Sequence, residues 1–424
     1  MKKINTPTGF CVLPWVMRYI HNDGGVYLCC ISASEIKNFI KDNEGQKLFI
    51  SDPTFEEKLA ESTQLKNIRQ KMLQGEWVPE CDSCRKSESL GPLSHRQQKN
   101  NEFLGEIPSI LAFNLKQASR YPIKVLDLRL SNKCNLRCVM CTPEASHLWS
   151  KEWNQIQPPP YQISESELAQ YSSSPWTEND QVWDKLWLYK DHLKQIEIAG
   201  GEPLLNLEAQ KFFDRLHEAG CLQNITLEVI TNATIIPQQW QHIFKHTKIT
   251  NIRVSIDGVG PYQELMRTNL KWETFDQNMH FLDQHFEQFH CREMSVNFTL
   301  QALNAFQVVP VYRYLSQFKH IRPLPHLSLL ESPRYMSVLT LPMDMRKLLV
   351  GQWRQLIDEF KGHRSYTPKD GWLIESFERA IKYLEVSPIQ FDVLAWRYRL
   401  ARDRELGMRL KQQNPELWLY LISG

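Results

Sequence analysis

The sequence predicts an α/β protein built on an open, partial (β/α)6 barrel, with a small α+β domain ahead of it. Three observations carry this. From residue 125 onward, strand-like runs alternate with helix-length segments. Residues 1–100 lack that alternation and show two short strand-like runs about a glycine turn, then a helical stretch. Eight of the ten cysteines fall in two tight groups, one in each region.

In the first region, "VMRYIHNDGGVYLCC" reads as a β-hairpin, with Asp23, Gly24 and Gly25 supplying the turn. "TFEEKLAESTQLKNIRQKMLQG" has helical spacing, with Leu59, Leu65, Ile68 and Leu73 among its apolar positions and Gly75 as C-cap. Residues 101–124 read as a linker. The strands expected next are 125–130, 195–200, 225–231, 251–257, 293–300 and 326–332. Repeated β-α units of this kind require a parallel sheet with right-handed crossovers. Six strands suit a partial barrel better than a closed eight-stranded one. In such folds the chemistry gathers where the βα loops leave the C-terminal ends of the strands.

The barrel is expected over 125–335, interrupted by an irregular insertion at 143–180 whose proline triplet and serine run argue for a loop with short helices. It either overhangs the active face or runs out on the solvent side. Residues 336–424 form a helical extension. Its segment "FDVLAWRYRLARDRELGMRLKQQNPELWLYL" reads as one amphipathic helix with its arginines on a solvated face.

Fifty Lys and Arg against 48 Asp and Glu leave a formal charge of +2, so no strong field favours nucleic acid or an acidic membrane. Pro7, Gly9, Pro14 and Arg18 break the N-terminal stretch, so no secretory signal is expected, and no apolar run is long enough to span a bilayer as a helix. The expectation is a cytoplasmic chain with reduced thiols, in which clustered cysteines are metal ligands.

Cys134, Cys138 and Cys141 have C-x3-C-x2-C spacing on a loop directly after the first barrel strand. Three thiolates can bind three irons of a cubane and leave the fourth iron open, as a catalytic centre needs. A zinc site is the alternative, with His147 as a fourth ligand.

This loop, "CNLRCVMC", resembles the hallmark of the radical S-adenosylmethionine (SAM) superfamily, and Asn135 and Met140 fit its flavour. The resemblance runs on through roughly 120–335. "IAGGEPLLN" is similar to the family's GGE motif and implies SAM contacts from Gly200, Gly201, Glu202 and Pro203. "VITNAT" implies ribose contacts near Thr231 and Asn232. "VSIDGVG" places Ser255 and Asp257 near SAM, and Arg267 becomes a candidate partner for its carboxylate. The resemblance implies a [4Fe–4S] cluster that binds SAM. Reductive cleavage then gives methionine and a 5′-deoxyadenosyl radical, with a flavodoxin- or ferredoxin-type reductant.

Cys11, Cys29, Cys30, Cys81 and Cys84 form the second group. Asp23 to Cys29 resembles the Asp-Gly-x-Val-Tyr-x-Cys pattern of twitch and SPASM auxiliary-cluster domains. That resemblance implies an auxiliary [4Fe–4S] cluster on Cys11, Cys29, Cys81 and Cys84, with Cys30 as the alternative to Cys29. Better-known members carry this domain after the barrel, whereas here it comes first. A zinc knuckle from the same thiolates is the alternative.

Cys221 and Cys291 read as small apolar fillers, and Trp183 and Trp187 as core. Asn304 and Arg334 stand where residues at the top of the barrel contact SAM or substrate. The leading expectation for function is oxidative modification of a ribosomally made peptide. Dehydrogenation of a carbohydrate or cyclitol alcohol is the alternative, and a non-catalytic iron–sulfur or zinc scaffold is the reading from another class.

Overall fold

The computed structural model describes residues 6–89, 94–113, 121–171, 175–363, 366–386 and 392–423. Ten strands occur among them: β1 (Met17–Ile20), β2 (Val26–Tyr27), β3 (Val125–Arg129), β4 (Arg137–Cys138), β5 (Gln195–Ala199), β6 (Thr226–Thr231), β7 (Ile249–Ser255), β8 (Arg267–Thr268), β9 (Cys291–Leu300) and β10 (His326–Leu329). Eight make one sheet in the order β10-β9-β7-β6-β5-β3-β1-β2, and β4 pairs with β8 apart from it. All six expected barrel strands are present, with ends shifted by up to three residues. Their apolar positions alternate as a half-buried strand requires. In β7, Ile252 and Val254 are buried while Asn251, Arg253 and Ser255 on the other face are half-buried.

The chain divides into two compact units. The first comprises 1–131, 174–228 and 246–248. The expected hairpin is present here, with Tyr19 opposite Tyr27, and Gly24 supplies the positive φ of its turn. β1 then lies parallel to β3, Met17 beside Val125, so the hairpin extends the same sheet as the first barrel strands. The boundary expected at 101–124 is therefore not where the units divide. Those residues are also partly helical, with helix Ile107–Leu111 following helix His95–Glu102. Residues 114–120 lie outside the described residues.

The helix expected over 54–75 is two helices, Phe55–Glu61 and Thr63–Leu73. Buried Ser62 breaks them: its hydroxyl accepts the Leu65 N–H at 3.3 Å and donates to the Lys41 carbonyl at 2.6 Å. Gly75 ends the second with φ +80.

The second unit comprises 132–173, 229–245 and 249–424. The insertion is a chain of short helices, including Trp153–Ile156 and Glu165–Tyr171, and its serine run lies outside the described residues. The single helix expected at the C-terminus is three: Val393–Arg402, Arg404–Gln413 and Pro415–Ser423. Asp403 and Asn414 break it, each accepting a backbone N–H of the next helix through its side chain. Nor are all its arginines solvated. Arg399 is fully buried, pairs with Asp403 at 3.1 Å and lies 5.1 Å from the Trp149 ring.

Candidate active site

In the second unit, the cysteine loop is pinned by a ladder that sequence reasoning missed. Cys138 pairs across from Arg267 in β4–β8, and the Val139 N–H donates to the Met266 carbonyl at 2.9 Å. Arg267 is buried; its Nε donates to Asp257 Oδ2 at 2.8 Å, and its NH1 lies 3.7 Å from Cys138 Sγ. Asp257 is fixed in turn, its Oδ1 accepting the Thr299 N–H and its own N–H donating to Gln263, both at 2.8 Å. The chain thus places Arg267 between a carboxylate and a cysteine sulfur.

The electrostatics follow from that placement. The hydrogen bond from Cys141 and the Arg267 guanidinium pull the Cys138 thiol below its ordinary range, against burial, while Cys141 as donor is pushed up. Burial opposes the charge on Arg267, but Asp257, Cys138 and Cys141 outweigh it.

Cys134 is reached from the end of β6. Asn232 Nδ2 donates to Asn135 Oδ1 at 2.9 Å and lies 3.9 Å from Cys134 Sγ. Asn232 Oδ1 accepts from Thr234, and Thr231 Oγ1 accepts the Ala233 N–H at 3.0 Å. The backbone turns sharply here, with Ala233 at φ +54. Ser255 stands at the end of β7, its carbonyl 3.5 Å from Gln263 Nε2. The first half of the insertion backs the loop. Trp149 Nε1 donates to the Cys138 carbonyl at 2.9 Å, and Cys141 packs against Trp149, Trp153 and Ile156. The tryptophans were visible in the sequence; their target was not.

His147 Nδ1 accepts the Cys134 N–H at 3.3 Å. Asn304 is buried and hydrogen-bonds within its own turn, to Gln301 and Thr299. Arg334 opens a short 3-10 turn after β10. Cys291 is buried at the start of β9, and Cys221 is half-buried.

In the first unit, the GGE segment follows β5. Gly200 has φ +90, and a Cβ there would stand 2.6 Å from Asn22 Oδ1 and 2.8 Å from the Ser131 carbonyl, so only glycine fits. Glu202 is buried, and its carboxylate accepts the Leu204 N–H at 3.2 Å, ahead of Pro203 and the short turn Pro203–Leu205.

The N-terminal cysteines converge in the same unit. Burial pushes Cys11 up to about 12, with Cys84 adding to it; burial also raises Cys29, to which Cys30, Cys11 and Cys81 contribute; Cys81 feels Cys11 and Cys84. Helix His95–Glu102 holds the Cys11 segment, since Asn100 accepts the Val12 N–H and donates to the Phe10 carbonyl, both at 2.8 Å. Cys30 turns elsewhere. Its Sγ lies 3.9 Å from His95 Nε2, and burial pushes it up to about 12 among Asp127, Arg129, Glu197 and Lys99. Among the described residues, no three cysteine sulfurs lie all within 4.8 Å of one another. Thiolates around one zinc at 2.3 Å would stand about 3.8 Å apart.

Residues 128–294 match the family model of the Radical SAM superfamily. GTP 3′,8-cyclase of Aquifex aeolicus is 26% identical over 140 residues, 33% of this chain and 37% of that protein. The Staphylococcus epidermidis GTP 3′,8-cyclase is 24% identical over 197 residues, 46% and 51% of the two chains. The chain thus spans about a third to a half of the length of these relatives. Among solved structures, native anSMEcpe with bound AdoMet gives a TM-score of 0.38 at 19% identity, covering 57% of this chain and 63% of that one. Streptococcus suis SuiB bound to S-adenosylmethionine gives 0.35 at 13%, covering 64% and 61%. The matched stretch contains the cysteine loop, the GGE segment, Asp257 and Arg267, and over it the chain carries a domain of the radical SAM superfamily.

Proposed function

We propose that the protein is a radical SAM enzyme whose Cys134, Cys138 and Cys141 hold a [4Fe–4S] cluster. The observation that carries this is the pinned loop: three thiols within eight residues, one of them drawn toward its thiolate beside buried Arg267. The donor set, three thiols on one short loop, fits a cluster left open on one iron. When bound, cluster and SAM supply reductive cleavage to a 5′-deoxyadenosyl radical that takes a hydrogen atom from substrate. The chain's own residues do the rest. Arg267 steadies the Cys138 thiolate, Trp149 and Trp153 keep water from the loop, and Gly200 lets the turn after β5 pack against Asn22 and Ser131. SAM is read as lying against Gly200, Gly201, Glu202, Pro203, Thr231, Asn232, Ser255 and Asp257.

Cys11, Cys29, Cys81 and Cys84 are read as ligands of an auxiliary [4Fe–4S] cluster, with Cys30 outside it. The electrostatic reach of Cys11 to Cys29, Cys81 and Cys84 supports this. The substrate reading is oxidative modification of a peptide. A second reading, a small polar metabolite, is favoured by the polar face of β7, β9 and β10.

Iron and sulfide analysis with EPR on anaerobically reconstituted protein tests both sites, beside a Cys134/Cys138/Cys141 triple-Ala variant. We expect about eight irons in the parent and about four in the variant, with 5′-deoxyadenosine formed from SAM and dithionite by the parent alone. No nucleoside from an iron-loaded parent would remove the radical reading. About four irons with zinc would make the N-terminal group a knuckle.

A further inference from the structure

Within the second unit, three strands line up a polar face. The register sets Ser255 beside Asn297 and Asn297 beside His326, with Arg253 beside Ser295 in the next row. Alternate residues share a face, and the intervening Ile252, Val254, Val296, Phe298 and Leu327 are buried on the other. Helix Gly371–Glu385 lies along β10, the Ser376 hydroxyl accepting the Leu327 N–H at 3.1 Å. One residue of that helix reaches the polar face: Trp372 stands with its ring centroid 5.3 Å from that of His326.

Arg253 lies 5.3 Å from the Trp372 ring centroid and has no ion-pair partner among the described residues. Its Nε is buried and unbonded, as are Asn251 Oδ1 and Asn297 Oδ1. Burial, then Arg253 and Arg379, push His326 down to about 3, so the ring is neutral. The nearest carboxylate by register is Glu293, opposite Asn251 at the start of the ladder. Here one cation's donor and two amide acceptors stand together unbonded.

We propose that this face is a substrate subsite that takes an oxyanion on Arg253, with a hydroxyl or amide of the same ligand on Asn251 or Asn297. A guanidinium fork matches a carboxylate or phosphate with two parallel bonds, and the amide oxygens ask for donors. The subsite rests on the proposed function for its substrate role. β7 runs from Arg253 past Ser255 to Asp257, about 13 Å at 3.3 Å per residue, and Asp257 holds the arginine that touches Cys138. A ligand anchored at Arg253 therefore extends along the strand toward the cysteine loop.

The test is calorimetric titration of the reconstituted full chain with succinate and with inorganic phosphate, without SAM. The His326 ring resonance, assigned through His326→Gln, serves as locator. We expect one anion to bind saturably and move that resonance, and Arg253→Met and Arg253→Lys each to weaken binding by about tenfold or more. Saturation by succinate assigns a carboxylate ligand, and by phosphate a phosphoryl one. No saturable change at His326, or a response unaltered in Arg253→Lys, overturns the subsite. Nucleoside formation from SAM in the same preparation keeps the two readings apart. A preparation that makes nucleoside but binds neither anion loses only the subsite. One that binds an anion but makes no nucleoside keeps the subsite as a binding site and loses the radical chemistry.

Discussion

Arg267 joins residues that are far apart in the chain: Asp257 is ten positions away and Cys138 is 129. Removing it leaves Asp257 buried without its cation, which costs about 3–5 kcal/mol. Arg267→Met should therefore lower the urea midpoint sharply, and adding Asp257→Asn should restore much of the loss. The same variant should shift thiol chemistry. The cation favours the Cys138 thiolate, so without it the pH at which the cluster-free chain's Cys138 alkylates half-maximally should rise. An unchanged profile would mean that Cys141 alone sets the thiol. Gly200→Ala should cost more than the usual surface change, about 1–3 kcal/mol from φ +90 alone, with the Asn22 and Ser131 contacts adding to it. Urea unfolding would show this directly. The sequence marked each of these residues, because motif spacing is local. It did not show that Arg267 lies against Cys138, because that pairing is tertiary.

The elements that hold the two cysteine groups differ in how readable they were. The strands were legible to within a few residues, since alternation and β-branched content are carried by neighbours in sequence. Helix His95–Glu102, most of it inside the expected N-terminal domain, was not foreseen as a helix because its residues are nearly all polar. Yet its Asn100 clamps both sides of Cys11. Asn100→Leu leaves the buried Val12 N–H unbonded, about 1–3 kcal/mol. We expect a lower Tm and loss of the iron due to the N-terminal group, while 134–141 keeps its own. Equal loss from both groups would show a general unfolding instead. Trp149→Phe removes the bond to the Cys138 carbonyl, about 1 kcal/mol, together with part of the buried ring's packing on Trp153 and Arg399, and should leave iron content near that of the parent. In the C-terminal segment, Asn414-Pro415 and Asp403 were breakers present in plain sight. Continuous apolar spacing across them hid three helices behind one.

For the whole molecule, no helix among the described residues is long and apolar enough to cross a membrane, and two half-buried histidines supply one pH lever. Burial first, then Lys99, pushes His95 down to about 4, and His326 is pushed to about 3. Below about 6.5 the unfolded chain protonates these rings while the folded one does not. Stability should therefore fall as pH drops from about 6.5 toward 4. Urea unfolding at pH 7 and pH 5 should show a smaller fall in His326→Gln than in the parent, and an equal fall would clear that ring. The division of the chain was the least legible feature of all. The strand that β1 adds beside β3 is set by backbone pairing that no spacing records. That long-range pairing also orders events in time. The loop bearing Cys134 is not complete until Arg267 reaches Cys138 and the Thr299 N–H reaches Asp257. A ribosome adding roughly 5–20 residues per second needs on the order of ten seconds or more to make that stretch. Cluster delivery must therefore await the later strands, and a nascent chain stalled before them would offer three thiols with nothing yet to hold them.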